Sequence, residues 1–316
     1  MTIFLTGGSG MLGRHLLSNP EFKAFQVVAP TRQELDLFDY EGVSKYVSAL
    51  KPDMIIHAAG RLGGIAANQS AHLDFLMENL MVAQNVVMAA KTAGVPKLLN
   101  LGSSCMYPRN VEALLTEDMI LKGELEPTNE GYALAKIVAT RMCEYISISS
   151  PGFQYKTIIP CNLYGPWDRF DLQRSHLIPA AIIKVYQATT NQQPSVEIWG
   201  DGTARREFMY TGDLADFIVQ ALHHFELLPL LTNVGIGQDY TVNEYYHEVA
   251  QVLGFKGSFT HNLTGPVGMK RKLLSVERAT ALWGWKPQTS LSEGIQKTYQ
   301  FYRQTLENPH DLVSIS

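Results

Sequence analysis

Four residues near the middle of the chain have the types and spacing that acid–base chemistry requires: Ser103, Cys105, Tyr132 and Lys136. Tyr132 and Lys136 stand at i and i+4, so a helix puts them on one face, where the ammonium can lower the pKa of the phenol. An unperturbed tyrosine titrates near pH ~10, and an acid working at neutral pH needs a value much closer to 7. Such a pair can donate a proton, and Ser103, just after the apolar run 97–101, could hold a carbonyl between itself and the phenol. Cys105 has no part in that trio. Taken alone, the pair also reads as an incidental Tyr and Lys on an amphipathic helix, so the surrounding elements must decide.

Residues 3–6 form a short apolar strand, Gly7, Gly10 and Gly13 follow at once, and a helix comes next. Glycines so placed let the backbone turn tightly, let a pyrophosphate approach the main chain and let helix pack on strand, while the helix N-terminus favours the anion. Gly-x-x-Gly-x-x-Gly is a weak motif by itself, but in this strand-and-helix context it predicts a dinucleotide site with Met11 and Leu12 inside the turn. A second strand, 26–29, ends in Pro30-Thr-Arg32, with no acid for a free ribose 2′-hydroxyl. Arg32 therefore favours the 2′-phosphate of NADP(H), its alternative being a solvated loop residue. Asp39 reads as an adenine contact or a helix cap. The third strand, 52–60, is a continuous apolar run of the kind buried on both faces of a parallel sheet. Ala58 and Ala59 at its end leave room for a cofactor, and His57 within it reads as a core histidine.

A helix over 75–93, ended by Gly94, carries Leu76, Leu80, Ala83, Val87 and Ala90 at helical spacing, and Met77, Met81 and Met88 on a second line that a partner subunit would cover. The helix from Tyr132 has Ala135, Val138, Ala139, Met142 and Ile146 as its expected buried stripe. A strand over 155–161 and a turn over 162–166 complete an alternation that predicts an α/β fold with a Rossmann-like doubly wound parallel sheet. The regular alternation stops at Trp167. We expect residues 1–166 with 207–235 to form the NADP(H)-binding domain, and 167–206 with 236–316 a smaller α/β substrate domain. In that second part a helix spans 176–189, Asp213 caps another and Thr241 opens a third. Lys184, Arg205, Arg206, Lys270, Arg271 and Lys272 stand out in a chain of net charge −4. Guanidinium forks suit phosphates, so a nucleotide diphosphate is the expected ligand.

Composition narrows the classes further. In 316 residues, 46% are hydrophobic and 18% charged, as in soluble globular proteins. The net charge gives no reason to expect nucleic acid or an anionic membrane as partner. No apolar run approaches the ~18 residues of a membrane span, and the first residues lack the pattern of a signal peptide. Three cysteines (Cys105, Cys143, Cys161) without paired spacing argue against a disulfide framework or a zinc site and for a cytoplasmic location.

With Ser103, Tyr132 and Lys136 set beside the glycine turn, the chain resembles the extended short-chain dehydrogenase/reductase family over nearly its whole length. Arg61-Leu-Gly-Gly-Ile65, the run from Gly102 to Pro108, that from Leu125 to Glu130, Asn162-Leu-Tyr-Gly-Pro166, Ser175-His-Leu-Ile-Pro179 and Arg206-Glu-Phe208 are similar to motifs of its members that act on GDP-4-keto-6-deoxy-D-mannose. The resemblance implies 3,5-epimerisation followed by NADPH-dependent 4-reduction. It gives Cys105 and His176 the proton exchange at C3 and C5, Ser103 and Tyr132 the enolate oxygen, Tyr132 the proton for reduction, and Lys136 the cofactor ribose. It also implies that Asn162, His176, Lys184, Trp199, Arg206 and Lys272 line the site of a GDP-linked 4-keto sugar, and that a homodimer forms through a four-helix interface. Some positions depart from the family pattern: Ser9 and Lys184 stand where relatives place arginine, Gly131 where proline is usual, and 267–270 differ near the nucleotide sugar. These motivate an alternative: the same chemistry, or reduction alone, on another GDP-4-keto sugar such as the colitose precursor or a GDP-4-keto-heptose.

Overall fold

Short strands of branched apolar residues alternate with longer helices through the first half of the chain. They run β1 (Thr2–Thr6), α1 (Met11–Ser18), β2 (Gln26–Val28), α2 (Tyr40–Leu50), β3 (Met54–His57), α3 (Ile65–Ser70), α4 (His72–Thr92), β4 (Lys97–Leu101), α5 (Glu130–Ser149) and β5 (Gln154–Pro160). The second half continues with β6 (Asn162–Tyr164), α6 (Leu177–Thr190), β7 (Ser195–Trp199), β8 (Arg205–Arg206), β9 (Phe208–Tyr210), α7 (Thr211–His223), β10 (Leu231–Val234), β11 (Tyr240–Thr241), α8 (Val242–Leu253), β12 (Ser258–Asn262), β13 (Arg271–Lys272), α9 (Glu277–Trp283) and α10 (Leu291–Glu307). The structure is a computed structural model, and it describes residues 1–172, 174–265 and 268–307.

Six strands form one parallel sheet in the order β10-β5-β4-β3-β1-β2. Successive side chains of a strand point to opposite faces, and here both faces are covered. Ile3, Leu5, Met54, Ile56, Leu99 and Leu101 enter one hydrophobic cluster with Leu214, Phe217 and Ile218 of α7. Their neighbours Phe4, Ile55 and Leu98 enter another, with Val43 and Val47 of α2 and Val86 and Val87 of α4. Each such buried side chain contributes about 1.5–3 kcal/mol. This is the expected Rossmann-like, doubly wound sheet. A third cluster lies apart from it, built from Ile178 and Ile182 of α6, Tyr245 and Val249 of α8, and Ile295 and Tyr302 of α10.

Several local expectations hold. Gly94, at φ +73°, follows the last turn of α4. Thr241 and Glu244 form a reciprocal capping box at the start of α8. His57 is a core histidine, 1% exposed, with Nδ1 hydrogen-bonded to Thr6 Oγ1 at 2.8 Å.

Others are corrected. Residues 162–164 are a strand, not part of a turn, because β6 pairs in parallel with the distant β9 (Asn162 opposite Phe208). Asp213 lies in the first turn of α7 instead of at its cap, and its carboxylate accepts hydrogen bonds from Gln288 N, Thr289 N and Thr289 Oγ1. Val138, expected in the buried stripe of α5, is 41% exposed. No helix among the described residues is long and apolar enough to cross a membrane.

Candidate active site

Strand order reverses between β1 and β3, where an open α/β sheet leaves a crevice at its carboxyl ends. The glycine turn lies there and has no space for side chains. Gly7 has φ +74°, and a Cβ on it would sit 2.7 Å from Ala59 N. One on Gly13 would overlap the Gly7 carbonyl. Gly10, the N-cap of α1, supplies no capping side chain, so the helix amides keep their donors for an anion. This bare cradle fits a dinucleotide pyrophosphate. Thr6 Oγ1 also accepts from Ala59 N (3.3 Å) and holds the Ala58–Ala59 corner against it. Arg32 is exposed, its guanidinium carbon 5.5 Å from the Phe38 ring centroid. Asp39 takes the N-cap position of α2 without a side-chain cap hydrogen bond.

Three members of the candidate catalytic set meet at the end of β4. Ser103 follows that strand in extended conformation, and its Oγ accepts from Cys105 N at 3.3 Å. Tyr132 and Lys136 are both buried in the first turns of α5. Lys136 Nζ donates to Leu101 O at 2.8 Å and lies 5.8 Å from the Tyr132 ring centroid. Burial controls both groups. It raises the Tyr132 phenol, with Cys105 adding to the rise and a hydrogen bond with Ser103 opposing it. It lowers Lys136 to about 8. Desolvation, and not the expected lowering by Lys136, therefore sets the phenol, and Tyr132 holds its proton firmly. Gly131 just before it has no room for a side chain, since a Cβ would come within 2.5 Å of His72 O where α5 meets the start of α4.

Cys105 is half-buried beside this group and accepts a hydrogen bond from Asn129 Nδ2 at 3.1 Å. His176 is the N-cap residue of α6. Burial, then the charges of Lys272 and Arg169, lower its imidazole to about 4.

The cationic residues divide by strand geometry. β13 pairs with β8 so that Arg271 lies opposite Arg205 and Lys272 opposite Arg206. Alternation then gives Arg205 and Arg271 one face and Arg206 and Lys272 the other. On the first face both guanidiniums bind Asp239, through Arg205 Nε at 2.8 Å and Arg271 Nε at 2.5 Å. Despite burial, which alone would raise it, this carboxylate is held below its ordinary range. Those two arginines are thus paired with a carboxylate of their own chain. Lys272, on the second face with Arg206, is close enough to His176 to act on its charge. Asn162 reaches the neighbouring residue of β8 and β9, donating from Nδ2 to Glu207 O at 2.9 Å. Lys184 and Trp199 are adjacent to each other, with Nζ 5.1 Å from the indole centroid and donating to Glu197 O at 3.0 Å. Trp199 is 44% exposed, presenting a flat surface to solvent. The departing segment 267–270 begins outside the described residues.

Two side chains that build this region escaped the reading of the sequence. Glu207, inside the Arg206-Glu-Phe208 motif, is 1% exposed and accepts from Ile236 N, Gly237 N and Leu274 N. It fastens three chain segments, and burial, partly offset by those amides, raises it to about 7. Asn79 of α4 clamps the loop after β3 by accepting from Arg61 N (2.9 Å) and donating to Arg61 O (3.2 Å). A charged residue beside an apolar strand was the available signal for Glu207; Asn79 had none.

The model of the NAD dependent epimerase/dehydratase family matches residues 3–237. The chain belongs to the NAD-dependent epimerase/dehydratase family. Among family relatives, it is 49% identical over 308 residues to the GDP-L-colitose synthase of Yersinia pseudotuberculosis, covering 98% of this chain and 100% of that protein. It is also 49% identical over 300 residues to the GDP-L-fucose synthase of Azorhizobium caulinodans, covering 95% and 96% respectively. The solved GDP-mannoheptose C4 reductase from Campylobacter jejuni, with NADP bound, superposes with a TM-score of 0.84 at 32% identity, covering 96% of this chain and 98% of that one.

Proposed function

We propose that this protein is an NADPH-dependent epimerase/reductase that inverts C3 and C5 of GDP-4-keto-6-deoxy-D-mannose and reduces C4, giving GDP-L-fucose. The observation that carries this reading is the Cys105 thiol beside the Ser103, Tyr132 and Lys136 set, since plain reduction has no use for it. The 49% identity to a GDP-L-colitose synthase and a GDP-L-fucose synthase supports the substrate class.

NADPH supplies the hydride. Gly7, Gly10, Met11, Leu12 and Gly13 would hold its pyrophosphate, Arg32 the 2′-phosphate and Asp39 the adenine, while Ala58 and Ala59 leave it space and Lys136 binds the ribose. The 4-keto group acidifies the protons on C3 and C5. Cys105 as thiolate takes one, and the C–H electron pair moves onto the oxygen held by Ser103 and Tyr132, preorganised donors for that charge. His176 returns a proton to the opposite face. Tyr132 later protonates O4, and the neighbouring Lys136 ammonium favours the phenolate left behind.

Asn162, His176, Lys184, Trp199, Arg206 and Lys272 would line the GDP-sugar site. A diphosphate on Lys272 would offset one of the charges that lower His176, while burial, the largest cause of the lowering, would remain. In this reading 1–166 with 207–235 form the cofactor domain and 167–206 with 236–316 the substrate domain. The chain pairs with a second copy through α4 and α5. Leu73, Met77 and Met81 of α4 and Leu134, Val138, Tyr145 and Ile148 of α5 are exposed apolar residues, which a four-helix interface would cover.

A second reading keeps the fold and changes the sugar to the colitose precursor or a GDP-4-keto-heptose. The similarity to the Yersinia and Campylobacter proteins favours it. Purified protein offered each GDP-4-keto sugar with NADPH should oxidise the cofactor fastest with the 6-deoxymannose compound. No oxidation with that compound, and rapid oxidation with another, would replace the first reading by the second.

A further inference from the structure

Asn129 occupies the N-cap of α5, three residues before Tyr132. Asparagine at that position ordinarily turns its side-chain oxygen onto the second or third helix amide. Here the side chain makes no capping hydrogen bond. Its Nδ2 donates to Cys105 Sγ at 3.1 Å, and its Oδ1 is buried with no hydrogen-bond partner. A residue suited to capping has given up the cap and left a polar atom unsatisfied, both at a cost in stability. In place of the cap stands a single N–H aimed at a sulfur.

We propose that Asn129 is a positioning residue for epimerisation: its amide N–H holds the Cys105 sulfur in place and stabilises it as the thiolate that removes the sugar proton. A thiolate accepts an N–H much more strongly than a thiol does. In the proton transfer the C–H bond breaks, the S–H bond forms and the electron pair moves onto the keto oxygen. The sulfur then no longer needs the donor, so the hydrogen bond is strongest before the step. Two titratable groups of α5 lie within electrostatic reach of the same sulfur, Tyr132 and Lys136. Asn129 acts on the sulfur through a directed N–H at 3.1 Å.

The inference rests on the epimerase reading of Cys105, and the test separates the two. Full-length protein is alkylated with iodoacetamide across a pH series, and modification of Cys105 is followed by peptide mass spectrometry; Cys143 and Cys161 are buried. Asn129→Ala should move the alkylation curve to higher pH by about one unit, so that Cys105 reacts roughly tenfold more slowly at neutral pH, and should slow solvent deuterium exchange into the sugar to match. Asn129→Asp keeps the size and caps the helix well but cannot donate when ionised, so it should move the curve at least as far. It also carries the test if the alanine variant does not fold. An unshifted curve in either variant that folds would make Asn129 only a helix cap and overturn the proposal. Cys105→Ser addresses the other question: exchange that survives in that variant refutes the epimerase reading, whatever Asn129 does.

Discussion

Tyr132 keeps its proton at neutral pH because burial penalises the phenolate more than the hydrogen bond with Ser103 favours it. The same physics sets the buried histidines. His57 is lowered to about 3, first by desolvation and then by the nearby Lys136 charge. Its folded-state value lies below its unfolded one, so the unfolded chain binds the extra proton as pH falls below about 6.5, and stability is lost with it. A His57→Asn variant lacks this linkage. Its deficit relative to wild type, measured by urea unfolding, should shrink by about 2 kcal/mol between pH 7 and pH 5; a constant deficit would mean that His57 is charged in the fold. Arg205 and Arg206 make a parallel point about single residues. They are adjacent and chemically identical, yet strand alternation commits one to Asp239 and leaves the other beside Lys272.

At the scale of elements, the turn from β1 into α1 determines the cofactor cradle. Gly13→Ala adds a Cβ where the Gly7 carbonyl already stands, so strand and helix must part. We expect a loss of about 1–3 kcal/mol in stability and at least a tenfold loss in NADPH affinity by calorimetry; unchanged binding would place the cofactor elsewhere. This element was legible in the sequence because its causes are local: apolar strand, glycines and helix lie within a few residues. So were β4, which spans the predicted residues 97–101, and the Thr241 cap, whose partner Glu244 is one turn away. Contacts distant in sequence were not legible. Nothing within residues 162–166 announces a pairing with β9, and Glu207 reveals its role only when Ile236, Gly237 and Leu274 are brought to it by the fold. Asn129 was visible as part of a motif, but its choice of sulfur over helix cap required coordinates.

For the whole molecule, the exposed apolar faces of α4 and α5 are the surface that the proposed dimer would cover. Val138, 41% exposed, reads as core by helical spacing and is instead on the outer face. Val138→Glu should therefore fold and yet run as a monomer in light scattering, against a dimeric wild type. A monomeric wild type would contradict the interface. The fold also puts the glycine turn after β1 and Ser103 and Cys105 after β4 at the carboxyl edge of one sheet, with Tyr132 on α5, so that proton exchange and reduction would share one site. The direct test is nuclear magnetic resonance of GDP-4-keto-6-deoxy-D-mannose turned over in heavy water by wild type and by Cys105→Ser. Wild-type product should carry deuterium at C3 and C5 with stoichiometric NADPH oxidation, and the variant should oxidise NADPH without taking up deuterium. Wild-type oxidation of NADPH with neither carbon labelled would contradict this and leave a simple reductase.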